Sequence, residues 1–115
     1  MDHLRDIRTT LRSGDALEAR RRAAEVVRKL EGSSSASQDD RALALALLFE
    51  ASLRSGEEKP VWQPIADAWL AARHASYGQD DPRVARTLNK IGTLLYYAGA
   101  CTQAREYLEQ SLAIR

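Results

Sequence analysis

A chain of 115 residues, 44% hydrophobic, 29% charged and 6% aromatic, has the length and composition of one globular domain. Seventeen Lys and Arg against sixteen Asp and Glu leave a formal charge of +1, too little for a field that draws the whole molecule to nucleic acid or an anionic membrane. The longest apolar run, Ala42 to Phe49, falls far short of the roughly 18–20 residues that span a bilayer, so no membrane-crossing segment is expected.

Taken in chain order, each segment reads as helix. The first is expected near 2–13 and must stop at Gly14, because glycine enters the left-handed conformation of a helix C-terminus without steric cost. Over 15–31, Ala19, Ala23, Val26, Val27 and Leu30 recur at i, i+4, i+7, i+8 and i+11, one stripe of a 3.6-residue helix. The serine-rich stretch 32–37 reads as a mobile loop between units. Ser37 with Asp40 has the spacing of a capping box and opens a helix over 38–55, closed by Gly56. Pro60 and Pro64 flank Trp62, which predicts a longer or shifted turn around 56–63 before a helix over 60–77 whose Trp62, Ile65, Trp69 and Ala72 form a core stripe. Asp81 before Pro82 starts the helix 82–98, with Val84, Leu88, Ile91 and Leu95 on its buried side. Gly99 ends it, and a last helix covers 101–114. No stretch alternates with period two.

The segments come in pairs. Leu-Arg-Ser-Gly occurs at Leu11–Gly14 and again at Leu53–Gly56, and Tyr-Tyr-Ala-Gly stands at Tyr96–Gly99. Gln38-Asp39-Asp40-Arg41 and Gln79-Asp80-Asp81-Pro82-Arg83 each precede a long apolar-periodic stretch. The fold expected is all-α: an antiparallel helix-pair solenoid of three repeats near 1–36, 37–78 and 79–115, in a single domain.

The third unit carries a resemblance. Gly78-Gln79-Asp80-Asp81-Pro82, Thr87-Leu88-Asn89-Lys90-Ile91-Gly92, Gly99, Ala104, Leu108 and Leu112-Ala113-Ile114-Arg115 together resemble the tetratricopeptide repeat of the kinesin light chain type, most specifically over 78–115. The family usually has histidine where Asp81 stands. Gly92, Ala104 and Ser111 fall where the two helices of such a repeat come closest, and Ile7 and Phe49 occupy the matching positions of the earlier units, where a small residue is usual. The resemblance implies a non-enzymatic module that binds another protein or peptide in a concave groove, as an adaptor or as the sensor part of a larger assembly. Carried over by register, the groove residues are Arg8 and Arg12 in the first repeat, Glu50 and Arg54 in the second, and Arg86, Asn89, Thr93, Tyr96 and Tyr97 in the third. Asn89 matches a family asparagine that can bond a peptide backbone. With four arginines against Glu50, an acidic or mixed polar ligand is expected. Tyr97 reads equally well as packing against a neighbouring repeat.

Other features have plainer readings. Arg20-Arg21-Arg22 could meet phosphates, but Glu18 to Arg22 and Glu25 to Lys29 are i,i+4 pairs on a solvated face, so neither nucleic acid nor membrane is expected as a partner. His74 sits near a helix end, where a cation suits the dipole. Cys101, the only cysteine, is expected to be buried as a small hydrophobe; with His3 and His74 it is too scattered for a zinc site. Asp39-Asp40 and Asp80-Asp81 read as caps, not calcium ligands, and no metal, cofactor or catalytic residue is assigned. No basic segment followed by an apolar stretch opens the chain, so the expected compartment is the cytosol. The last helix poses an alternative. Tyr107, Leu108, Leu112 and Ile114 cannot all face the preceding helix, and the apolar stripe runs to the end at Arg115, which predicts either a homodimer through this helix or further repeats of a longer chain.

Overall fold

The computed structural model describes residues 2–33 and 35–114 and, within these, every side chain but those of Asp2 and His3. Ser34 of the expected linker, the His3 side chain and Arg115 lie outside the described residues. The helices are α1 (Asp2–Arg12), α2 (Ala16–Glu31), α3 (Gln38–Arg54), α4 (Lys59–Tyr77), α5 (Pro82–Tyr97) and α6 (Cys101–Ile114), with no strand among the described residues.

Local chemistry sets the ends. Asp15, Ser37 and Asp81 each turn a side-chain oxygen back on a first-turn amide, accepting from Glu18 at 3.2 Å, Asp40 at 3.0 Å and Arg83 at 2.8 Å. Among the described residues the Asp40 carboxylate makes no return bond, so the expected capping box is closed only from the serine side. At the other ends, Gly14, Gly56 and Gly99 take φ of +93°, +84° and +89°. This lets the following amides of Asp15, Glu57 and Ala100 reach back to the carbonyls of Thr10, Ser52 and Leu95 at 3.3, 3.0 and 2.9 Å. The same C-terminal motif therefore closes the first helix of all three pairs.

The prolines disturb the chain less than their spacing suggests. The joint between α3 and α4 is only Ser55–Glu58, one residue longer than Ser13–Asp15 and Ala98–Ala100, and no shift extends to residue 63. Pro60 lies in the first turn of α4, where a missing amide costs nothing, and Pro64 is carried inside the helix. The buried Trp62 and Trp69 on either side of Pro64 hold that stretch against the core.

Three antiparallel pairs stack in order. α1, α3 and α5 touch one another in sequence, whereas among the described residues α2, α4 and α6 stand apart except where a side chain reaches across, as Gln63 of α4 does to Tyr107 of α6. The smallest extent of the molecule, 22 Å, is that of two helix layers. The stack therefore bends with α1, α3 and α5 on its inner face: an all-α helical-repeat solenoid.

Small residues close the third pair. A Cβ on Gly92 would stand 2.7 Å from Leu108 Cγ and 3.1 Å from the Ala104 carbonyl oxygen, so the helices meet there by omitting a side chain. Ser111 meets a different partner from the one its spacing implied: its hydroxyl donates to the Ala85 carbonyl at 2.8 Å, two turns before Gly92. In the middle pair Phe49 is fully buried, edge-on to Trp62 at 6.0 Å and tilted against Trp69 at 5.9 Å.

Two sequence expectations fail here. Cys101 is exposed, because the first residue of α6 projects outward before the helix reaches its partner. Tyr107 is buried rather than free, since its hydroxyl is held across the repeat boundary by Gln63 Nε2 at 2.9 Å. Ile114 packs against the core and Leu108 leans over Gly92, which leaves Leu112, 67% exposed, as the one open apolar side chain of that set.

Candidate functional site: a basic concave groove

The inner face holds two adjoining depressions of about 340 Å³ each. Leu43 and Ala46 of α3, Trp69 of α4 and Lys90 of α5 line both, so they form one continuous floor. Arg8 and Arg12 of α1 and Glu50 and Arg54 of α3 wall the first; Arg73, Arg83 and Arg86 wall the second. A third hollow extends it past Arg5 and Arg8 along α1. These side chains converge because α1, α3 and α5 present the same helical face, and residues at i, i+4 on that face, such as Arg8 with Arg12 and Arg86 with Lys90, stand one above the other.

The cations fall into two sets. Arg54 is fixed: it pairs with Glu50 at 2.7 Å and donates to the Leu11 carbonyl at 3.2 Å, tying α3 to the last turn of α1. Arg73 pairs with Asp39 at 3.0 Å, the same carboxylate that accepts the Tyr77 hydroxyl at 3.2 Å. Arg83 bonds Asp81 at 2.9 and 3.0 Å and lies 3.7 Å over the Tyr77 ring. That side-chain bond, with the backbone amide of Arg83, lowers the Asp81 carboxyl to a pKa of about 2. Arg5, Arg8, Arg12, Arg86 and Lys90 have no acidic partner among the described residues. A chain of formal charge +1 thus concentrates uncompensated positive charge on its concave face, above an apolar floor.

Of the residues expected in the groove, Arg8, Arg12, Glu50, Arg54 and Arg86 line it. Asn89, Thr93 and Tyr96 do not. They sit at i, i+4 and i+7 along α5, where the Thr93 hydroxyl donates to the Asn89 carbonyl at 2.7 Å. Tyr97 is 80% exposed and meets Tyr96 edge-on at 5.7 Å, so it packs against no neighbouring repeat. The groove residues that register alone missed are Leu43, Ala46, Trp69, Arg73, Arg83 and Lys90. Lys90 was legible, one turn after Arg86. Leu43 was hidden in a wholly apolar run, and Trp69 reaches the floor from an outer helix.

The other basic stretch is neutralised locally. Arg21 and Arg22 both bond Glu18, Arg22 at 2.9 Å, and these hydrogen bonds bring Glu18 to a pKa of about 2; Arg20 pairs with Glu57. No group of His, Cys, Asp and Glu among the described residues could hold a metal ion, and no helix there is long and apolar enough to cross a membrane.

Residues 65–115, from within α4 to the end of the chain, match the family model described as a tetratricopeptide repeat. This part of the chain is similar to tetratricopeptide repeat sequence. No curated protein and no solved structure matches the chain. Tetratricopeptide repeats generally mediate protein–protein interaction and are typically not catalytic. The matched segment supplies the α4–α5 side of the groove, including Trp69, Arg73, Arg86 and Lys90.

Proposed function

We propose that this chain is a single three-repeat interaction module, non-enzymatic, that holds an acidic segment of another protein along its concave groove, as an adaptor or the sensor part of a larger assembly. The observation that carries the reading is the row Arg5, Arg8, Arg12, Arg86 and Lys90, unpaired with any acid among the described residues, beside the floor of Leu43, Ala46 and Trp69. Guanidinium groups recognise carboxylates through paired hydrogen bonds, while an apolar floor takes the side chains between them. The spacing of Gly78–Pro82 and Thr87–Gly92 supports a kinesin light chain-like subtype for the third repeat. The reading gives the module no cofactor, and no nucleic acid or membrane as partner, since Arg20, Arg21 and Arg22 are occupied by Glu57 and Glu18. An exposed free thiol at Cys101 suits the reducing cytoplasm.

The test is binding of a fluorescein-labelled peptide alternating glutamate with leucine, followed by anisotropy. Binding should weaken as salt rises and fall at least about tenfold in the Arg86→Glu, Lys90→Glu double variant, whose circular dichroism stays that of the parent. Arg54 is a poor probe, because its bond to Leu11 makes it structural. A peptide that binds the double variant as well as the parent, or a lysine-containing counterpart that binds equally well, overturns the reading.

A further inference from the structure

The two depressions of the groove differ in charge as well as in place. The first has the Glu50 carboxylate in its wall, beside Arg8, Arg12 and Arg54. The second is walled by Arg73, Arg83, Arg86 and Lys90, and no Asp or Glu lines it. Arg83, Arg86 and Lys90 stand at i, i+3 and i+7, one stripe of α5, and Arg73 joins them from α4. Such a stripe works against the helix that carries it, because like charges three and four residues apart repel. Elsewhere the chain relieves its arginines on the spot: Glu18 takes Arg21 and Arg22, Glu57 takes Arg20, and Glu50 takes Arg54.

Here the relief is partial. Asp39 holds Arg73 and Asp81 holds Arg83, while Arg86 and Lys90 have no acidic partner among the described residues. The two paired guanidinium groups are also gathered by one ring, their central carbons 5.8 Å (Arg73) and 3.7 Å (Arg83) from the centre of Tyr77. Pairing leaves donors over. Arg73 bonds Asp39 through one Nη, and Arg83 bonds Asp81 through Nε and one Nη, so each keeps an Nη without a partner among the described residues. Four cations against two carboxylates leave two positive charges in excess around one hollow. A glutamate side chain brings a single negative charge. A phosphate monoester brings about −1.5 to −2 at pH 7, with three acceptor oxygens that guanidinium groups bond in pairs. The floor of Ala42, Leu43, Ala46 and Trp69 keeps water from one side of the hollow, which strengthens such pairing. In the first depression the same group would stand beside the Glu50 carboxylate.

We propose that the second depression is a phosphate-reading subsite, which takes a phosphorylated side chain of the partner's acidic segment while the first depression takes carboxylates. This rests on the groove reading and narrows it. The test compares three fluorescein-labelled peptides alternating glutamate with leucine, identical but for serine, glutamate or phosphoserine at the central position, by anisotropy at pH 7.5. The phosphoserine peptide should bind at least about tenfold more tightly than the glutamate peptide. Arg86→Gln should reduce that advantage to about twofold or less, whereas Arg8→Gln should weaken both peptides alike and preserve it. Both positions are exposed, so circular dichroism should match the parent. Lowering the pH to 5 protonates the phosphate, whose second pKa is about 6, and should remove most of the advantage. The glutamate peptide, measured alongside, carries any change in the protein's own groups: Asp39, Asp81 and Tyr77 around the cations, and His74 next to Arg73. A glutamate peptide that binds as tightly as the phosphoserine peptide, yet is weakened by Arg86→Glu, Lys90→Glu, overturns the subsite and leaves the groove. Failure of all three peptides to bind overturns both. An advantage that survives Arg86→Gln or pH 5, or free phosphoserine that binds as tightly as the peptide, also overturns the subsite.

Discussion

The middle and last helix pairs solve one geometric problem by opposite means. Phe49 stands seven residues before Gly56 just as Gly92 stands seven before Gly99, so the two positions correspond. In α5–α6 the site is empty of side chain and Leu108 and Ala104 close over it; in α3–α4 the fully buried ring of Phe49 fills it, wedged against Trp62 and Trp69. Both seams exclude water, one by bringing backbones together and the other by filling the gap with rings. The repeat therefore specifies a path for the chain and a total volume at the seam, not a residue at each position.

If that is right, the two seams should break in opposite directions. Phe49→Ala leaves a void between two tryptophans and should cost about 3–5 kcal/mol, read by chemical denaturation. Added bulk should injure only the other seam: Ala104→Leu should cost about 1–3 kcal/mol by overpacking, and an unchanged melting temperature would mean that α6 does not press on Gly92 as described. Ser111→Ala removes the hydroxyl that bonds the Ala85 carbonyl and should cost about 1 kcal/mol, since that carbonyl retains its place in α5. The mildest effect is electrostatic. Glu18 is lowered from 4.5 to about 2 by hydrogen bonds from Arg21 and then Arg22, and Asp81 from 3.8 to about 2 by the Arg83 side chain and then its amide. Both folded values are depressed, so their contribution is complete above the unfolded values near 4 and is lost as pH falls toward 2. Carboxyl NMR titration should find these two groups still ionised near pH 3, and midpoints at ordinary values would show that the Arg partners are not held in solution.

The helix ends were legible in the sequence because their causes are local: Ser37 caps three residues on, and Gly99 turns the chain where it stands. Half the groove was legible for the same reason, since the arginines of one helical face recur every turn. What escaped depends on partners far along the chain. Tyr107 reads as a free aromatic until Gln63, 44 residues earlier, is placed against it. Family register places Asn89, Thr93 and Tyr96 in the groove, but they do not line its two depressions. Leu43 was absorbed into the core by an apolar run that offers no polar side by which to orient the helix.

The aromatic wedge also bears on how the chain reaches its fold. Helices here pair mainly with their neighbours in sequence, the low-contact-order arrangement for which folding times lie in the range of about microseconds to milliseconds. In such a stack structure can begin anywhere and spread outward, and it should begin where one contact secures the most surface. That place is the Phe49–Trp62–Trp69 cluster, which joins α3 to α4 and adjoins the residues of α5 in the same core. Amide exchange should therefore be slowest in α3 and α4 and faster in α1, whose eleven residues pack outside that cluster.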